Sequence, residues 1–227
     1  MEYKIQDIYM TEDFNELVQG SSGVIREENA LIQEKRPVEF ANLLPQWKQN
    51  DPEVIKEFRV GGIQDGVFAY LITEYSDISI NSDISSLRQK TSRPILWGVA
   101  VEDEKTVRAL AQLRFDGYVV SVSDCDTPRV QYLIEIGREY GMECILEVRK
   151  QDQLSCALMT DTRIISARPD PREGTKLIKE VISAKKGRRG RFIVDTRDMS
   201  EKLIAGLGTS WSAIIVGHDI FHEEEFL

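Results

Sequence analysis

Short apolar runs alternate with longer amphipathic stretches along most of this chain. From Arg36 onward the runs are VEFANLL (38–44), GVFAYLIT (66–73), PILWGVA (94–100), GYVVSVS (117–123), ECILEV (143–148), RIISA (163–167), RFIVD (191–195) and AIIVG (213–217). Between several of them apolar positions recur at helical spacing, in PEVIKEFRV (52–60), DEKTVRALAQLRF (103–115), PRVQYLIEIGREYG (128–141) and GTKLIKEVISAKK (174–186). Brief Val- and Ile-rich runs separated by helices predict parallel strands joined by right-handed crossovers. Eight such units predict closure into a (β/α)8 barrel. The competing open, doubly wound sheet gains no support, because neither GxGxxG nor GxxxxGK[ST] follows any of the runs.

The two ends depart from the repeat. Residues 1–35 read as an N-terminal helical extension, DIYMTEDFNELV and EENALIQEK parted by Gly20-Ser21-Ser22-Gly23, with the barrel occupying 36–227. After Gly217 only HDIFHEEEFL remains, enough for a short last helix. Such a truncated unit leaves apolar surface that a second copy or another protein partner could cover.

Within the repeat, the stretch from Gly141 to Leu158 carries the clearest chemical signal. Gly141 closes one helix, Cys144 to Val148 forms a buried strand, and Gln151-Asp152-Gln153 opens the next helix. Glu147 therefore stands where a strand hands over to a helix, the end of a β/α sheet that carries chemistry.

Composition sharpens this picture mainly by exclusion. The 227 residues, 41% hydrophobic and 30% charged, fit one large globular domain. No apolar run reaches the length of about 20 residues that a membrane span needs, and the polar N-terminus lacks the pattern of a leader peptide. A cytoplasmic location is the resulting expectation. The net charge of -9 argues against nucleic acid or anionic lipid as partner, since nothing supplies counterion release. Lys185-Lys186-Gly187-Arg188-Arg189 reads as a solvated turn. Three cysteines lie far apart without a CxxC pair, so neither a disulfide framework nor a zinc site is expected, and no metal or cofactor is assigned. His218 and His222, beside Asp219 and Glu223 to Glu225, read as a solvated terminal helix in preference to a metal site.

From about Pro37 to Gly217 the order of segments resembles indole-3-glycerol phosphate synthase, the (β/α)8 lyase of tryptophan biosynthesis. GMECILEVRKQDQLSCAL is similar to that family's fifth strand and following helix, and PILWGVAVEDEKTVRALAQLRFDGYVV to its third strand, third helix and fourth strand. EFANLLP has the outline of its first strand, DPEVIKEFRVGG of its first helix, and RIISARP, IVDTRD and IVGHDI fall at strands six to eight. The resemblance implies an active site in which glutamates on strands one, five and seven act with lysines on strands one and three. It places Glu39 and Glu147 at two of the acids, and Asp195 at the third in shortened form. It also puts Ala41 and Gly98 at the two lysines, Arg168 at a strand-six Asn, and Leu44-Pro45-Gln46-Trp47-Lys48, Arg197 and His218-Asp219 around the phosphate site.

The lost strand-three lysine removes a general acid worth about 10²–10⁴-fold. Glu39, Glu147, Asp195 and Glu74 would then gather negative charge at the mouth, turning the site toward a neutral or cationic ligand with Arg168 as counter-charge. The expected catalytic residues are Glu39, Glu147 and Asp195; the expected small-molecule contacts are Glu74, Trp97, Arg168, Thr196, Arg197 and Gly217. Each has a plainer reading. Glu147 and Arg168 could pair with one another, Asp195 could cap the next helix, and Trp97 could fill the space left by Gly98. The function expected is a diverged acid–base lyase or cyclase on a small organic, even aromatic, substrate. The alternatives are the ring-closing activity itself, with Lys48 reaching in from its loop, and a non-catalytic pseudoenzyme whose barrel binds or assembles with a partner.

Overall fold

In the computed structural model, residues 40–44, 52–58, 66–73, 80–122, 126–170, 174–184, 190–208 and 210–217 are described. The chain divides after Pro37 into two compact units, and all the described residues belong to the second, Val38–Leu227. The expected N-terminal helices and the short last helix lie outside the described residues.

A helix α1 (Phe40–Leu43) precedes strand β1 (Glu53–Glu57). There follow β2 (Ala69–Ile72), α2 (Ile80–Lys90), β3 (Ile95–Ala100), α3 (Glu104–Gln112), β4 (Gly117–Ser121) and α4 (Thr127–Glu139). Then come β5 (Glu143–Val148), α5 (Gln151–Leu158), β6 (Ile164–Ala167), α6 (Gly174–Ala184), β7 (Arg191–Asp195), α7 (Glu201–Ala205) and β8 (Ala213–Val216). All neighbouring strands are parallel and in sequence order, and β8 pairs back onto β1 from Glu53↔Ala213 to Lys56↔Val216. The eight strands form a closed barrel with alternating helices, a (β/α)8 fold.

The first unit differs from the sequence expectation. VEFANLL is not strand one: Phe40, Ala41 and Leu44 are buried while Asn42 and Leu43 face outward, an i, i+1, i+4 pattern that belongs to a helix. Strand one is instead EVIKE, inside the segment expected to be the first helix. Its Val54, Ile55 and Phe58 also fit a helical face, and pairing with β2 and β8 overrides that local pattern. Phe40, Ala41 and Leu44 join the interior cluster at the amino end of the barrel. There Arg191, the first residue of β7, donates from Nε to the Leu44 carbonyl at 2.8 Å.

Strand alternation sorts the core into two layers. Ile55, Leu71, Leu96, Val119, Ile145, Ile164, Ile193 and Ile215 fill the barrel, whereas Ile165, Ala167, Phe192 and Val194 pack outward under the helices. Parallel strands covered on both faces read as unbroken apolar runs, which is why all six residues of β5 are buried. In the outer layer Tyr118 donates to the Leu133 carbonyl of α4 at 2.6 Å. A Cβ on Gly137 would stand 2.3 Å from the Tyr118 Oη, so only glycine lets α4 approach this closely. Cys144 is a free, buried thiol beside Tyr118, and burial pushes it up from its ordinary value. Cys156 is disulfide-bonded, where the sequence led us to expect no disulfide framework.

Candidate functional site at the carboxyl ends of the strands

The period of two that buries Ile55, Ile145, Ile164 and Ile193 inside the barrel also turns Glu57, Glu147, Ser166, Arg168 and Asp195 inward, toward its carboxyl end. Glu147 and Asp195 are deeply buried, their side chains 6% and 1% exposed. Neither is left without a counter-charge. Arg149, the residue that follows β5, donates from Nε to Glu147 Oε1 at 2.9 Å. Arg197 grips Asp195 with two nitrogens, Nε to Oδ1 at 3.0 Å and Nη2 to Oδ2 at 2.6 Å, and its backbone N–H donates to Oδ1 at 3.2 Å. The same guanidinium reaches Glu57 Oε1 at 3.5 Å, bridging β7 to β1, and Thr73 donates its hydroxyl to that oxygen.

Arg168 stands in the middle. Its Nε donates to Asp198 Oδ2 at 2.7 Å and lies 3.8 Å from Asp195 Oδ2, while Nη1 lies 3.6 Å from Glu147 Oε2. Burial works against the charge on Arg168, but Asp198, Asp195 and Glu147 outweigh it and hold the guanidinium above its ordinary value. Arg197 is raised in the same way, burial being overcome chiefly by Asp195. The hydrogen bond from Arg168 holds the Asp198 carboxyl below the usual carboxylate range, against a smaller opposing effect of burial.

Among the described residues no carboxylate at the mouth is unpaired, although four carboxylates share three arginines. Glu57, Glu147, Asp195 and Asp198 each have an arginine within 3.5 Å. Glu39 and Glu74 lie outside the described residues, and the acid that ends strand one is Glu57, which sequence reading had assigned to a helix. Ala41, placed by resemblance at a strand-one lysine, is on α1.

Other expected contacts sit elsewhere. Trp97 faces away from the barrel interior, stacked edge-on against Phe115 with ring centroids 5.7 Å apart. The room beside Gly98 is taken by Leu71 and Thr73, whose atoms would lie 2.7 and 2.8 Å from a Cβ there. A lysine at position 98 has no space. Thr196 is buried and donates both its hydroxyl and its N–H to the Ile215 carbonyl, at 2.8 and 2.9 Å, tying β7 to β8. Gly217 follows β8 and offers no side chain. Asp195 does not cap the next helix, whose N-cap is Ser200.

Sequence reading missed Glu57, Thr73, Arg149 and Ser166. A signal for Arg149 was present, since a strand puts residues two apart on one face. Among the described residues no cluster of three or more His, Cys, Asp or Glu is placed to hold a metal ion. No helix among them is long and apolar enough to cross a membrane.

No known protein family and no curated protein matches the chain. Solved structures do resemble it. An HpcH/HpaI aldolase from Desulfitobacterium hafniense DCB-2 superposes with a TM-score of 0.57 at 9% identity, over 74% of this chain and 86% of that one. KGPDC from Streptococcus mutans gives 0.57 at 12% identity over 73% and 88%. A tryptophan synthase complex from Pyrococcus furiosus gives 0.52 at 14% over 74% and 87%. At these identities the likeness establishes the closed (β/α)8 barrel and leaves chemistry to be argued from the site itself.

Proposed function

We propose that this barrel is a cytoplasmic lyase-type enzyme acting by acid–base chemistry on a small organic anion held at the carboxyl ends of β5, β6 and β7. Glu147 is the proton carrier and Asp195 fixes the cationic frame. The observation that carries this reading is Arg168, a guanidinium only 19% exposed and within 3.8 Å of three carboxylates from two strand ends and a loop. The four described carboxylates there outnumber the three arginines, so an anion is held only by displacing one of them, and Asp198, 40% exposed, is the partner of Arg168 that can be displaced into water. Glu147 can serve as base because its closest partner, Arg149, is 47% exposed and can swing away without breaking the core.

A pseudoenzyme is the second reading, favoured by one feature: every described carboxylate at the mouth already has an arginine, so no base stands free. The test is to incubate the purified protein with a small-metabolite extract and follow consumption by mass spectrometry, for wild type and Glu147→Gln. Depletion by wild type alone supports catalysis. No depletion, or equal depletion by the variant, refutes it. A parallel assay with the anilino deoxyribulose phosphate of indole-3-glycerol phosphate synthase decides the ring-closing alternative.

A further inference from the structure

Ser166 is the one inward-facing residue of β6 between Ile164 and Arg168, and it pairs in register with Glu147 on one side and Ile193 on the other. It is 2% exposed, and among the described residues its Oγ has no hydrogen-bond partner. A buried hydroxyl in that state carries a desolvation cost that burial of an alanine would avoid. It lies directly beneath the charged rim, not among the apolar layers below.

Resting on the proposed function, we infer that Ser166 is a substrate-binding residue that receives an uncharged oxygen of the ligand, while Arg168 above it holds the ligand's carboxylate: the substrate is a 2-hydroxy or 2-oxo carboxylate. Ser166 and Arg168 share a neighbour: Glu147, paired in register with Ser166, has its Oε2 3.6 Å from Arg168 Nη1. The carboxylate takes the place of Asp198, whose side chain is 40% exposed and so is the partner of Arg168 most readily returned to water. Glu147, beside Ser166 in register, then faces the carbon or oxygen from which a proton is taken.

Lactate and propionate differ only in the 2-hydroxyl, which makes them the probe pair. Their binding is measured by NMR chemical-shift titration at fixed ionic strength, on wild type, Ser166→Ala and Arg168→Met. In wild type one enantiomer of lactate should bind roughly 2- to 12-fold more tightly than propionate, the range one hydrogen bond supplies. In Ser166→Ala that ratio should fall to about one while propionate affinity holds, and Arg168→Met should weaken both ligands. Equal affinity in wild type, a preference that survives in Ser166→Ala, or no saturable binding of either acid overturns the inference. A merely structural serine would lower the melting point of the ligand-free variant and leave the ratio unchanged. Turnover that depends on Glu147 without lactate binding would sink this assignment and leave the proposed function standing; the opposite result would do the reverse.

Discussion

Replacing Gly98 by alanine tests the barrel interior at the place where the resemblance to indole-3-glycerol phosphate synthase would require a lysine. The added Cβ would stand 2.7 Å from Leu71 Cγ, 2.8 Å from Thr73 Cγ2 and 3.0 Å from Leu71 Cδ1. Leu71 is fully buried in the interior cluster, so its branch point cannot move aside without disturbing neighbours. Overpacking of this kind costs about 1–3 kcal/mol, and the stiffer unfolded chain returns about 0.4–1 kcal/mol. The net loss is about 0–2.6 kcal/mol, centred near 1.3, which in a chain of this size lowers Tm by about 3–5 °C at the centre of the range. Thr73, if pushed, also gives up its hydrogen bond to Glu57. Thermal and urea denaturation should show the loss with an unchanged m-value. In a Leu71→Ala background the added cost of Gly98→Ala should shrink by at least half, because the closest clashing atoms are gone. A Gly98→Ala protein as stable as wild type would refute the inward placement of this position.

Two further substitutions probe the outer layer and the rim. Gly137→Ala, which in an exposed helix would stabilise by about 1 kcal/mol, should here lower Tm, because its Cβ would fall 2.3 Å from Tyr118 Oη; a rise would contradict the close approach of α4. Asp198→Asn should cost about 0.2–1 kcal/mol at pH 7. A carboxyl whose folded-state pKa is depressed contributes stability above its unfolded value and loses it as pH falls through the folded one, so the two proteins should converge in acid. A gap in Tm that does not narrow as pH falls below the ordinary carboxylate range would count against the Arg168 pair.

Strands β3 to β8 were legible because barrel strands bury both faces, and six unbroken Val- and Ile-rich runs said so without reference to anything distant. The first unit was not, because both of its segments carry apolar residues at i, i+1 and i+4. Phe40, Ala41 and Leu44 use that face as a helix, whereas Val54 and Ile55 are drawn into a strand by partners more than ten residues away. The slip cost the site its strand-one acid, placing Glu39 where Glu57 stands. The places of Glu147, Asp195, Arg168 and Arg197 at the carboxyl end were legible, since each lies inside a strand signal or follows one by at most two residues. Their pairing could not be read, for a carboxylate at a strand end looks the same alone or in the grip of a guanidinium. Ser166 looked like ordinary strand filling, and only the absence of a partner among the described residues distinguishes it.

The arrangement of charge decides which chemistry the mouth can support. Where the resemblance would place lysines on strands one and three, at Ala41 and Gly98, the described residues carry positive charge elsewhere. Strand three is closed by Leu71 and Thr73, while Arg149, Arg168 and Arg197 bring cations to the ends of β5, β6 and β7. That exchange is not neutral in function. An ammonium can give up a proton near neutral pH when its surroundings lower its pKa, but Arg168 and Arg197 are held above their already high ordinary values. They can hold an anion and cannot act as acids. Under the proposed function proton transfer falls to a carboxyl group, and among the described residues Glu147 alone joins deep burial to a pairing with a half-exposed arginine that can leave it. A substrate whose reaction needs a carboxylate anchored and a neighbouring proton moved suits such a site, and one that needs a lysine at strand three does not.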